Sequence, residues 1–142
     1  MYSAILVPVD PGDVSTWRRP LETAAKLASL SDATLYLLTV VPPMDSPLVA
    51  GMLPRDHQQR VVTRTREELD RLVAEHVPAG VRAEARVATG RVHEEVIRAA
   101  RELGCELIVI GRGGGLRGTP LAGTNTQRVV HAATIPVMVV AD

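Results

Sequence analysis

The sequence predicts an α/β fold: an open, largely parallel five-stranded sheet with helices on both faces, formed by a single domain over residues 1–142. Three observations predict it. Four short runs of Val, Ile and Leu are apolar at nearly every position, as strands covered on both faces are. The stretches between them switch to helical spacing. Strand-like and helix-like segments then alternate along the whole chain, which calls for crossover connections and therefore parallel pairing.

In order, Ala4 to Val9 (AILVPV) reads as the first buried strand. Leu21, Ala24, Ala25 and Ala28 line one face of the first helix, with Pro20 expected in its first turn, where a missing N–H costs nothing. Thr34 to Val41 (TLYLLTVV) is the second strand. Pro42 to Pro54 contains four of the ten prolines and forms a long connection. Val62, Leu69, Leu72, Val73 and Val77 make the stripe of a second helix, with Glu67 and Arg71 expected to pair at i,i+4 outside it. Val81 to Ala88 alternates instead, setting Arg82, Glu84 and Arg86 on one side as a half-exposed edge strand would. Val92, Val96, Ala99, Ala100 and Leu103 mark a third helix, closed by Gly104. Leu107 to Ile110 (LIVI) is a buried strand, Val129, Val130 and Ala133 belong to a short fourth helix, and Val137 to Val140 (VMVV) is the last strand.

Composition excludes several function classes. Sixteen Lys+Arg balance sixteen Asp+Glu, so no global field draws the chain to nucleic acid or to anionic lipid. The chain has no Phe, and Trp17, Tyr2 and Tyr36 are its only aromatics, too few for a base-stacking platform. No apolar run approaches the roughly 18 residues that a membrane span needs. The N-terminus lacks the basic region and cleavage site of a signal peptide. A single cysteine, Cys105, cannot bridge internally, and it fits a reduced, cytoplasmic setting.

In an open parallel sheet, ligands bind beyond the carboxyl ends of the strands, so the residues that follow each strand carry the chemistry. Six of the eleven glycines lie within the thirteen residues from Gly111 to Gly123, between a buried strand and a helix start. Glycines there let main-chain N–H groups turn toward a ligand, and the helix N-terminus adds free donors and partial positive charge. A phosphate chain is the natural guest; a flexible loop before a capped helix is the plainer alternative. Thr124 and Thr126 either cap that helix or donate hydroxyls to the guest, and Arg112 and Arg117 either neutralise phosphate from the rim or stand in solvent. Asp10, ending the first strand, either accepts from a base or ribose, holds a metal, or caps the Pro11-Gly12 turn; Asp13 reads as a helix cap.

Better-known motifs fail. Gly113-x-Gly115-x-x-Gly118 satisfies GxGxxG but follows the fourth strand, with no further βαβ unit to complete a dinucleotide fold. Gly113-x4-Gly118-Thr119 resembles a Walker A loop without its lysine, and Lys26 is the only lysine in the chain. A phosphoacceptor receiver would need a lysine after its last strand. His57, His76, His93 and His131 share no ligand spacing, His93-Glu94-Glu95 lacks the second histidine of HExxH, and Cys105 reads as core. No general base for hydrolysis is evident, and no catalytic residue is assigned.

These residues together resemble the universal stress protein domain, nearly end to end. Ile5-Leu6-Val7-Pro8-Val9-Asp10 matches its first strand, Ala33 to Val41 its second, Gly90 with Val96 its G-x5-[IV] helix start, and Cys105 to Gly111 its ADLIVMG strand. The nucleotide-binding members carry G-x2-G-x9-G-[ST]; here Gly111-Arg112-Gly113-Gly114 is followed, after eight residues, by Gly123-Thr124, one residue short. Asp10 is followed by Pro11-Gly12-Asp13 where Gly-Ser is common, and Thr39 stands where His is frequent.

The resemblance implies an adenine-nucleotide-hydrolase-like sheet of order 3-2-1-4-5. It implies adenine and ribose contacts at Pro8, Val9, Asp10 and Val40, and phosphate contacts at Gly111, Gly113 or Gly114, Gly123, Thr124, Asn125 and Thr126. The ligand it implies is ATP or a related adenine nucleotide, with any Mg²⁺ carried by the nucleotide near Asp10. The role is that of a sensor or regulatory module in stress response, with slow hydrolysis at most. A homodimer through Val137, Met138, Val139 and Val140 is implied, and the residues agree, since an apolar edge strand wants a partner. The alternative is a dimer of the non-nucleotide branch that acts through protein interaction.

Overall fold

The computed structural model describes residues 2–43, 51, 56–113 and 124–141. Its elements run β1 (Ala4–Pro8), α1 (Val14–Ser31), β2 (Thr34–Val41), α2 (His57–His76), β3 (Arg82–Thr89), α3 (Val92–Glu102), β4 (Leu107–Gly111), α4 (Thr124–Ala132) and β5 (Val137–Val140). The strands form one sheet in the order β3-β2-β1-β4-β5, and every pairing is parallel. β1 and β4 are buried along their whole length, which is why their sequences show no alternation. β3 lies at an edge with Arg82, Glu84 and Arg86 exposed, and β5 forms the other edge.

The sheet divides the core in two. Ile5, Val7, Leu35 and Leu37 point to the face covered by α1 and α2, where they meet Leu21, Ala24, Leu69 and Leu72. Leu6, Leu38, Ile108 and Ile110 point to the other face, where they meet Val96, Ala100 and Val129 of α3 and α4. Burying a side chain of this size contributes about 1.5–3 kcal/mol, so two such layers make the sheet the stable frame of the molecule.

Two local expectations are corrected. Pro20 does not lie in the first turn of α1. The helix begins at Val14, because Asp13 caps it by accepting from the N–H (3.1 Å) and hydroxyl (2.7 Å) of Ser15, so Pro20 falls inside the helix. Pro20 is buried against the end of β4: a Cβ on Gly111 would stand 3.4 Å from its Cγ and 3.4 Å from the carbonyls of Ser15 and Thr16. The glycine thus lets α1 lie directly on the strand end. On α2 the i,i+4 pair is Arg66–Asp70, at 4.0 Å, and no Glu67–Arg71 ion pair forms among the described residues. Exposed helical pairs of this kind are worth only ~0.3–0.5 kcal/mol, too little for sequence spacing to choose between them.

The amino end of the sheet is tied by Glu106, which accepts from the main-chain N–H of Ser3 at 2.7 Å and from the Ser3 hydroxyl. Those two bonds, the hydroxyl's first, hold the Glu106 carboxyl below its ordinary value of 4.5. The neighbouring Cys105 is buried and free, and burial, then the Glu106 charge, push its thiol up to about 11.

Two outcomes are expected. A depressed carboxyl stabilises the fold above its ordinary pKa and loses that effect as pH falls through the folded value. Glu106→Gln therefore melts below wild type at pH 7, and the gap closes in melts taken progressively below pH 4.5. Cys105 reacts with a disulfide reagent at pH 8 on the order of 100-fold more slowly in the native protein than in urea, because the thiolate is the reactive form. Equal rates would show the thiol to be accessible and acidic.

Candidate functional site

The chain winds from β1 to β2 to β3 on one side, then crosses over to place β4 on the other side of β1. Loops leaving β1 and β4 diverge at that reversal, and a cleft opens between them at the carboxyl edge of the sheet. It encloses about 440 Å³, a volume suited to a small organic ligand. Pro8, Val9, Asp10, Val40, Gly111, Gly113, Asn125 and Thr126 all line it. Thr124 is the first residue of α4, exposed and outside the lining, while Gly114 and Gly123 lie outside the described residues.

The turn after β1 is held by its own side chains. Asp10 Oδ1 accepts the N–H of Gly12 at 3.0 Å, so the capping role is realised, with the carboxylate still exposed at the cleft mouth. The Asp10 N–H donates to the Thr16 hydroxyl at 2.9 Å, and the Asp13 N–H donates to the Asp10 carbonyl, also at 2.9 Å. These bonds fix the carboxylate relative to the sheet.

At the far end, α4 points its N-terminus at the cleft through Asn125 and Thr126. The buried Thr126 hydroxyl donates to the Gly111 carbonyl at 2.8 Å, which pins the helix to the strand end. Its proton is therefore spent within the fold, against the alternative in which Thr126 donates its hydroxyl to a guest; only its lone pairs remain. Of the two readings of Arg112, the structure favours the solvent-exposed one. The Arg112 N–H donates to the Val140 carbonyl at 3.1 Å, and the residue is exposed, lining a surface hollow with Gln127, Val130, His131 and Val139 of α4 and β5 and not the cleft. Arg117 lies outside the described residues.

The walls contain Pro42, which follows the second strand, and residues that spacing did not assign to the site: Thr39, Thr65, Glu68, Val92 and Val96. Thr39 is buried, and its hydroxyl donates to the Val9 carbonyl at 2.9 Å, locking the ends of β1 and β2 together. Gly90 sets the α3 wall. Its N–H reaches the Val41 carbonyl at 3.0 Å, and at φ +148° a Cβ would come 3.0 Å from Glu95 Cγ. That close approach brings Val92 and Val96 to the cleft. Thr65 and Glu68 come from α2, where Thr65 interrupts the apolar stripe between Val62 and Leu69. A polar residue at a core-facing position was the available signal.

The charge of the lining is one-sided. Asp10 and Glu68 are its carboxylates, and no Lys, Arg or His lines the cleft among the described residues. Nor do the described residues gather three or more His, Cys, Asp or Glu into a metal-binding group. None of the described helices is long and apolar enough to cross a membrane.

Comparison with known proteins agrees with this architecture. The model of the universal stress protein family matches residues 1–141. Universal stress protein G of Shigella flexneri is 30% identical over 142 residues, covering 99% of each chain. A universal stress protein solved in complex with cAMP superposes with a TM-score of 0.68 at 23% identity, covering 98% of this chain and 97% of the other. A family protein from Arabidopsis thaliana solved with AMP bound gives 0.65 at 22% identity, covering 98% and 91%. With its sheet order, the glycine at the end of β4 and the match along nearly its whole length, the chain belongs to the universal stress protein family.

Proposed function

We propose that this chain binds ATP or a related adenine nucleotide in the cleft at the sheet reversal, as a sensor or regulatory module in the stress response. The observation that carries the proposal is the polarity of the cleft. One end offers the N-terminus of α4 and the main chain around Gly111 and Gly113, where φ is +73° at Gly113. Free N–H donors and the helix dipole favour an anion there. The other end offers Val40, Val9 and Pro8 as an apolar seat for a base, with the Asp10 carboxylate between the ends, placed to accept from ribose hydroxyls. Because the described lining has no cationic side chain, main-chain dipoles carry the attraction for phosphate, and any Mg²⁺ arrives on the nucleotide beside Asp10. That two structures of the same fold hold cAMP and AMP supports the reading.

The second edge of the sheet supports a homodimer. Met138 and Val139 of β5 are 38% and 43% exposed, and Val130 of α4 is 49% exposed beside them. An apolar strand with an open hydrogen-bonding edge is a template for pairing with a second copy. A dimer that acts through protein contacts with an empty cleft is the reading this surface would favour on its own.

Calorimetric titration with ATP and Mg²⁺ gives measurable heat, and nucleotide at about 100 times its Kd adds about 2.7 kcal/mol of stability. No heat and no thermal shift at millimolar nucleotide would leave the protein-interaction dimer. Asp10→Ala weakens nucleotide binding about tenfold, the loss of one charge-assisted hydrogen bond of ~1.5 kcal/mol. Val139→Arg sediments as a monomer and retains the wild-type circular dichroism spectrum; a persistent dimer would place the interface elsewhere.

A further inference from the structure

We propose that Glu68 determines base specificity by accepting a hydrogen bond from an exocyclic amino group, so that the cleft selects a 6-amino purine over a 6-oxo purine. The inference rests on the nucleotide reading above and assigns a role to a residue that spacing did not single out.

Glu68 stands near the middle of α2, one helical turn after Thr65, and both residues line the cleft. It is half-buried, and among the described residues it has no hydrogen-bond or ion-pair partner. Asp70 pairs with Arg66, and Asp56 at the helix cap with Arg60 at 2.9 Å. Glu67 forms no ion pair either but is exposed to solvent, which leaves Glu68 as the half-buried carboxylate of α2 without a partner among the described residues. A partly desolvated carboxylate without a donor is unfavourable, and a ligand N–H that reaches it recovers that cost.

Charge then fixes which part of the ligand it meets. The anion-favouring end lies at α4 and the end of β4, whereas Glu68 lies with Thr39, Val40 and Pro42 of the β2 side. A carboxylate repels phosphate and keeps it at the opposite end, so the base is the part of a nucleotide presented to α2. An ionised carboxylate only accepts hydrogen bonds. It pairs with the N6 amino group of adenine, whereas the same position in hypoxanthine presents the O6 carbonyl, which has no proton to donate and faces the carboxylate acceptor to acceptor. Sites that match a ligand's donors in this way discriminate strongly against the analogue that lacks them.

The test is calorimetric titration of AMP and IMP into wild type, Glu68→Gln and Glu68→Ala, with thermal melts to establish that each variant is folded. Wild type prefers AMP by at least about tenfold. Glu68→Gln, whose amide can donate to O6, brings the two affinities within about threefold, chiefly by improving IMP. Glu68→Ala lowers AMP affinity and also narrows the ratio. If both ligands bind wild type but the ratio is unchanged in folded Glu68→Gln, the assignment of Glu68 is overturned and the nucleotide site stands. A rise in both affinities by the same factor also overturns it, because the carboxylate would then act only by repelling phosphate. If wild type binds neither ligand, nor ATP, both readings fail together.

Discussion

The reversal of winding at β1 is the constraint on which the rest of the molecule depends. β1 pairs with β2 on one side and β4 on the other, so the loops leaving β1 and β4 must part company. The gap this leaves cannot be filled by sheet or by helix, because α1 and α2 cover one face and α3 and α4 the other. Burial of Ile5, Leu6, Val7, Ile108 and Val109 holds the reversal rigid and so holds the cleft open.

Small polar locks then give the cleft its shape. The Thr39 hydroxyl joins β2 to β1, the Thr126 hydroxyl joins α4 to β4, and Asp10 with Thr16 closes the turn between. The two threonine hydroxyls each satisfy a carbonyl in a buried setting, which is why hydroxyls occupy positions where apolar residues would pack as well, whereas the Asp10 and Thr16 bonds order an exposed turn. Glycine works at the same places for the complementary reason: at Gly90 a positive φ and the Glu95 side chain 3.0 Å from a Cβ position disfavour any larger residue, and at Gly111 a Cβ would already touch Pro20 and the α1 backbone at 3.4 Å.

The electrostatic design follows from the same geometry. With balanced charge overall, the chain attracts no ligand at long range, and recognition is left to short-range features of the cleft. Among the described lining residues, α4 contributes its N-terminal turn at Asn125 and Thr126, and the carboxylates are Asp10 after β1 and Glu68 on α2.

The order of elements, the buried and edge character of the strands, and the end of α3 at Gly104 were all legible in the sequence, because periodicity and chain-breaking residues act locally. Asp10 was singled out because parallel sheets place ligands beyond their strand ends, whereas Pro8 and Val9 came with the family resemblance; all three line the cleft. What the tertiary structure alone decided was where side chains point once helices dock. Thr126 spends its proton on Gly111, Arg112 is exposed beside α4 and β5, Pro20 sits within a helix whose start Asp13 sets, and Glu68 enters the cleft from an element remote in sequence. Such outcomes depend on how two helices meet across the sheet, and no local pattern of residues encodes a distance between them.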